Sequence, residues 1–112
     1  MLLATEQTLA IIAGSPAVAV ALVTIRPNVW YAGPVALLDE LYVEPARRGQ
    51  GIGSRIIELL LAIAEARRVA LIEINVDEGD VDAQRFYVRH GFRSTEDGSD
   101  ERTFYFWRQL EA

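Results

Sequence analysis

The chain has 112 residues, 51% of them hydrophobic, with a net charge of −5 and no cysteine. That length allows a single compact domain spanning residues 1–112 with a modest core. It leaves no room for a second. Disulfide staples, thiolate metal sites and covalent acyl-cysteine chemistry are excluded, and the acidic balance argues against a nucleic-acid partner while mildly favouring cationic ones.

Residues 8–13 and 17–25 are short β-branched runs on either side of Gly14-Ser15-Pro16, which predicts a hairpin. A punctuated stretch, 26–34, then carries Pro27, Asn28, Gly33 and Pro34 and displays Trp30 and Tyr31, either as a binding wall or as a cap on the core. Residues 35–43 form the next strand, where a period of two sets Asp39, Leu41 and Val43 on one face and Glu40 and Tyr42 on the other. Pro45 ends it. Apolar residues Ile52, Ile56, Leu59, Leu60 and Ile63 then recur at helical spacing over 51–67.

A buried strand over 69–76 follows, interrupted by Glu73 and Asn75. The turn Asp77-Glu78-Gly79-Asp80 has N-cap chemistry for a helix over 81–90 that stops at Gly91. Residues 92–95 and 103–110 flank a polar turn and predict a terminal hairpin with Phe104 and Phe106 on one face. The order is β-β-β-α-β-α-β-β, a mixed α/β domain. No stretch is long and apolar enough for a bilayer span, and the N-terminus lacks the charged n-region of a signal peptide, so the expected compartment is the cytoplasm.

The junction between the third strand and the first helix carries the chemistry. Gly49, Gly51 and Gly53 remove side chains at alternate positions, and the helix behind them directs unpaired N–H groups and a positive dipole end at whatever lies in front. Such a terminus suits a diphosphate. A Walker loop is excluded because the chain has no lysine, and the dinucleotide fingerprint needs G-x-G-x-x-G directly after a strand rather than G-x-G-x-G after a five-residue connector. The dinucleotide reading survives only if the strand runs on to Arg48.

Arg48-x-x-Gly51-x-Gly53, preceded by Leu41-Tyr42-Val43-x-Pro45 and followed by Ala83-x-x-Phe86-Tyr87-x-x-x-Gly91-Phe92, resembles the GNAT superfamily of acyl-CoA-dependent N-acetyltransferases. The resemblance covers about residues 18–110, and the Asp39-Glu40 pair is most similar to the polyamine acetyltransferase branch. It implies a mixed, mostly antiparallel sheet with flanking helices, without the strand and two helices with which such domains usually begin. It further implies acetyl-CoA as cosubstrate and a small-molecule amine as acceptor. The backbone of Gly49, Gln50, Gly51, Ile52, Gly53 and Ser54 would bind the diphosphate with Arg48 nearby. Leu41, Tyr42 and Val43 would pair with the pantetheine arm in a gap beside the strand ending at Asn75, and Asp80 and Ala83 would complete the cofactor side. Arg47 and Arg48 fit either phosphate contact or a solvated loop.

By the same resemblance Tyr87 stands near the thioester sulfur as a general acid. The proton of an arriving ammonium needs an acceptor, for which Asp39 is favoured, with Glu40 and then Glu73 as alternatives. His90, the only histidine, sits at a helix end with no nucleophile at triad spacing, so a structural duty is expected. Asp80 replaces the asparagine common in the family and, when ionised, can only accept hydrogen bonds. Two functions remain: direct acetyl transfer to a primary amine in a ternary complex, or an acyl-CoA-binding module that has lost its acceptor site. Sheet edge and apolar surface left uncovered at the N-terminal side predict a homodimer.

Overall fold

A computed structural model describes residues 7–27, 33–76, 79–95 and 102–110. The expected positions of Trp30, Tyr31 and the polar turn 96–101 lie outside these residues, as does the side chain of Phe104. The described elements are β1 (Gln7–Ala13), β2 (Ala19–Arg26), β3 (Val35–Val43), a 3-10 turn (Pro45–Arg47), α1 (Ile52–Ala66), β4 (Leu71–Asn75), α2 (Val81–Arg89), β5 (Arg93–Thr95) and β6 (Arg102–Gln109). The order matches the sequence reading, with ends shifted by one or two residues.

Six strands form one sheet in the order β1-β2-β3-β4-β6-β5. Only β3 and β4 run parallel among these neighbours, and α1 supplies the crossover that a parallel pair demands. Alternate residues of β2, namely Ala19, Ala21, Val23 and Ile25, join Ala36 and Leu38 of β3 and Ile72 and Ile74 of β4 in the core. Alanines at these positions let the helix approach the sheet closely. From α1, Ile56, Ile57, Leu60 and Ala64 close over them.

This helix phase differs from the one expected. Leu59 is 49% exposed and Ile57 is fully buried, because the stretch 56–61 is apolar on nearly every side and periodicity alone does not choose between adjacent residues. The burial of the sheet partners makes the choice.

A second difference concerns β3. Leu22 pairs with Glu40 but Val23 pairs with Leu38, so Asp39 is the extra residue of a β-bulge. Before the bulge, Ala36 and Leu38 face the core; after it, Leu41 and Val43 do, opposite Ala21 and Ala19. The simple period of two is therefore broken. Asp39 and Glu40 both lie on the face away from α1, rather than on opposite faces, and Asp39 is separated from Leu41 and Val43.

Replacing Ile57 by alanine is expected to cost about 3 kcal/mol in urea unfolding, whereas Leu59→Ala costs less than about 1 kcal/mol. Equal losses would contradict the helix phase described.

Candidate active site

The pairing of β3 with β4 runs from Val35–Leu71 to Leu38–Ile74 and stops there, although β3 continues to Val43. From the bulge onward β3 is hydrogen-bonded to β2 alone, and its other edge has no strand partner among the described residues. The gap expected beside the strand ending at Asn75 is present. β3 itself ends at Val43, not at Arg48, which removes the dinucleotide reading.

Beyond β3 the chain turns through Pro45–Arg47 into Gly49 and Gly51, both at φ +79°. Gly51 is the N-cap of α1, with no side-chain cap, and the first turn holds no acidic residue. The first intrahelical bond is Arg55 N–H to the Gly51 carbonyl at 3.1 Å, so the amides of Ile52, Gly53 and Ser54 have no acceptor within the helix. A Cβ on Gly51 would meet no atom within 4 Å, so the space around the start of the helix is open. A backbone cradle with a positive dipole end and no carboxylate in its own first turn fits a diphosphate.

The second wall is α2. Asp80 caps it, Oδ1 accepting the Ala83 N–H at 3.1 Å, so the replacement of asparagine costs the cap nothing. One face of α2 then meets the first turn of α1. The tip of the Phe86 ring lies where a Cβ on Gly53 would come within 3.3 Å, so a side chain there would require the ring to shift by a few tenths of an ångström. One turn on, His90 Nε2 is 3.0 Å from Ser54 Oγ, and the Phe86 and His90 rings lie 4.8 Å apart. Arg108 of β6 donates to the His90 carbonyl at 2.5 Å and ties down the end of α2.

These elements enclose a cavity of about 630 Å³. Of the residues expected at the site, it brings together Leu41 and Val43 of β3, Arg48, Gly49, Gly51, Ile52, Gly53 and Ser54 of the loop and first turn, and Asp80, Ala83 and Tyr87 of α2. Tyr42, Gln50 and Asn75 do not line it, nor do Asp39 and Glu40. Arg47, Asp82, Phe86 and Arg89 do, and the i+3 position from Ala83 would have found Phe86, whereas Asp82 and Arg89 flank that face. Arg48 has a second task, its Nε donating to the Val43 carbonyl at 3.0 Å with the guanidinium 5.9 Å from the centre of the Tyr42 ring. Four of its five N–H donors remain.

Tyr87 is 8% exposed, with Phe86, Phe92 and Phe106 around its ring. Burial, reinforced by the Asp80 carboxylate, pushes its phenol up to about 12. It is therefore protonated throughout the neutral range and has a hydroxyl proton to donate. On the far side of the sheet, Asp39 Oδ2 accepts the Thr24 hydroxyl at 2.6 Å. Glu73 pairs in register with Leu37, on the same face as Asp39 and Glu40.

Residues 4–92 match the acetyltransferase (GNAT) family. The chain belongs to that family, which uses acetyl-CoA as acyl donor. It is similar to a peptidyl-lysine N-acetyltransferase, YjaB, of Salmonella typhimurium, at 36% identity over 58 residues covering 52% of this chain and 37% of that one. An uncharacterized N-acetyltransferase of Archaeoglobus fulgidus is 36% identical over 64 residues, 57% of this chain and 44% of the relative. The match thus spans less than half the length of either curated relative. Among solved structures, an inferred acetyltransferase of Arthrobacter sp. FB24 superposes with a TM-score of 0.82 at 46% identity, over 95% of this chain and 68% of that one. Naa50 of Arabidopsis thaliana, solved with the bisubstrate analogue CoA-Ac-MVNAL, shares the fold with a TM-score of 0.71 at 20% identity, over 84% and 66% of the two chains.

Asp80→Ala is expected to remove about 1 kcal/mol of stability through loss of the cap. It also lowers the Tyr87 pKa from about 12, though not to its ordinary value, because burial is the larger cause. Urea unfolding and phenolate absorbance, referenced to Tyr87→Phe, measure the two effects.

Proposed function

We propose that the protein transfers an acetyl group from acetyl-CoA to a primary amine by direct attack in a ternary complex. The observation that carries this reading is the coincidence at one place of three features: the end of β3–β4 pairing, the uncapped start of α1, and the buried phenol of Tyr87. Separately each has structural explanations. Together they line one cavity from an anion cradle to an open strand edge.

In this reading the amides of 52–54, with Arg47 and Arg48, hold the diphosphate, while Asp80 and Ala83 flank it. The free edge of β3 around Leu41, Tyr42 and Val43, on the side of Asn75, takes the pantetheine amides. Bound acetyl-CoA supplies a thioester: a C–N bond forms, the C–S bond breaks, nitrogen loses a proton and sulfur gains one. A β3 N–H directed at the thioester oxygen contributes about 3 kcal/mol as negative charge develops there.

Tyr87 donates to the departing sulfur. With its phenol near 12 and a free thiol near ~8.5, full transfer would be uphill by roughly 5 kcal/mol. A cavity that desolvates the phenol also desolvates the thiolate and raises its affinity for a proton, which narrows that gap. Asp39, with one oxygen fixed by Thr24, receives the amine proton directly or through water, and Glu40 and Glu73 attract the cationic acceptor. Their common face is consistent with a polyamine-type amine, and the relatives' names extend the range to peptide amines. The working form is proposed to be a cytoplasmic homodimer; 62%-exposed Ile12 on β1, an edge strand, supports self-association.

A thiol-release assay with acetyl-CoA across a panel of polyamines, aminoglycosides, amino acids and peptides tests the reading. Amine-dependent release is expected. Acetyl-CoA binding without release to any amine would identify a binding module instead. Within the active enzyme, Tyr87→Phe should lower turnover by about 10²-fold while changing acetyl-CoA affinity less than about twofold. Unchanged turnover would remove its donor role.

A further inference from the structure

We infer that His90 is a positioning residue for the diphosphate site, acting through Ser54. This rests on the assignment of the cavity to the coenzyme diphosphate and concerns a side chain that lines no part of it.

Ser54 lies in the first turn of α1 and lines the cavity, with His90 Nε2 3.0 Å behind its Oγ. The contact has two forms. If the imidazole nitrogen accepts, the serine proton points at the histidine and only oxygen lone pairs face the cavity, where an anion would be repelled. If Nε2–H donates, Oγ is the acceptor and its proton is free to turn toward a phosphate oxygen. An anion in the cradle therefore selects the donating form, either the Nε2–H tautomer or the imidazolium. The Phe86 ring lies tilted against the imidazole at 4.8 Å and Arg108 holds the His90 carbonyl, so the ring and the backbone that carries it are both restrained beside Ser54.

The charged groups around the ring decide which donating form prevails. Burial, together with Arg89 of α2 and Arg108 of β6, holds the His90 pKa below its ordinary value, opposed by Glu58 of α1. The free protein thus holds a neutral imidazole near pH 7. A bound diphosphate adds negative charge beyond Ser54 and stabilises the imidazolium, so the pKa is higher in the complex than in the free protein. Binding then takes up protons, and affinity rises as the pH falls from above the complex's pKa to below that of the free protein.

The test is calorimetric binding of 3′-dephospho-CoA, chosen because it lacks the phosphomonoester that itself titrates near pH 6. For the wild type, affinity should increase between about pH 8 and pH 5.5, with proton uptake seen as a dependence on buffer ionisation enthalpy. His90→Phe should weaken binding about three- to tenfold at pH 7 and flatten the pH dependence. His90→Gln, whose amide N–H can stand where Nε2–H stood, should recover affinity to within about twofold without recovering the pH dependence. In a Ser54→Ala background, His90→Phe should have no further effect.

Additive losses in the double variant, or equal losses in His90→Phe and His90→Gln, would overturn the inference while leaving the diphosphate site intact. Wild-type affinity independent of pH would do the same. A wild type that does not bind 3′-dephospho-CoA at all would sink the underlying site assignment. Melting curves of each variant distinguish these results from unfolding.

Discussion

Everything at this site depends on where the hydrogen bonding between β3 and β4 ends. A parallel pair whose ladder closes fully would leave no main-chain groups for a ligand, and one that never formed would leave α1 without a sheet to pack on. The chain does both in sequence along one strand. Leu38 and Ile74 are the last pair, and the next residue of β3, Asp39, is the bulge on the side of β2. A bulge adds local twist and bends its strand. Placed at the last parallel pair, it turns the rest of β3 away from β4 while keeping it hydrogen-bonded to β2.

The opening so formed needs walls that hold still, and contacts between the first turn of α1 and one face of α2 supply them. Glycine at 53 removes the side chain that would crowd the tip of the Phe86 ring, and Ser54 meets His90 one turn along. The same face places Tyr87 between this seam and the aromatic cluster with Phe92 and Phe106, which accounts for its burial and raised pKa. Packing and function draw on the same atoms. A substitution that loosens the seam would shift the phenol and the anion cradle together.

The glycine spacing, the helix behind it and the tyrosine motif were legible in the sequence because each depends on local chemistry: the φ of Gly51, the cap at Asp80 and the helical spacing of Ala83, Phe86 and Tyr87. The strand order β1-β2-β3 followed from short connections. What was not legible depended on neighbours. Alternation along β3 assumes an intact ladder, and nothing in Leu38-Asp39-Glu40-Leu41 announces an inserted residue, so the two carboxylates were assigned to opposite faces. Ile57 and Leu59 are chemically equivalent in an apolar run, and only the sheet beneath α1 distinguishes them. His90 gave no signal beyond its position, because its partner, Ser54, is 36 residues away.

The bulge also arranges charge. With Asp39 and Glu40 turned to the face opposite α1 and Glu73 in register beside Leu37, three carboxylates share the side of the sheet away from the cradle. On the cradle side Arg47, Arg48 and Arg89 line the cavity together with Asp82 and with Asp80, whose carboxylate is engaged at the start of α2. An acidic chain thus carries a pocket in which arginines outnumber carboxylates on one face and an anionic patch on the other, on opposite sides of one sheet. In the proposed reaction the donor is a polyanion and the acceptor a cation. That distribution of charge would favour approach of the two substrates from opposite faces of the sheet. Had the period of two held, Asp39 would share the face of Leu41 and Val43 and would oppose the anion it now leaves undisturbed.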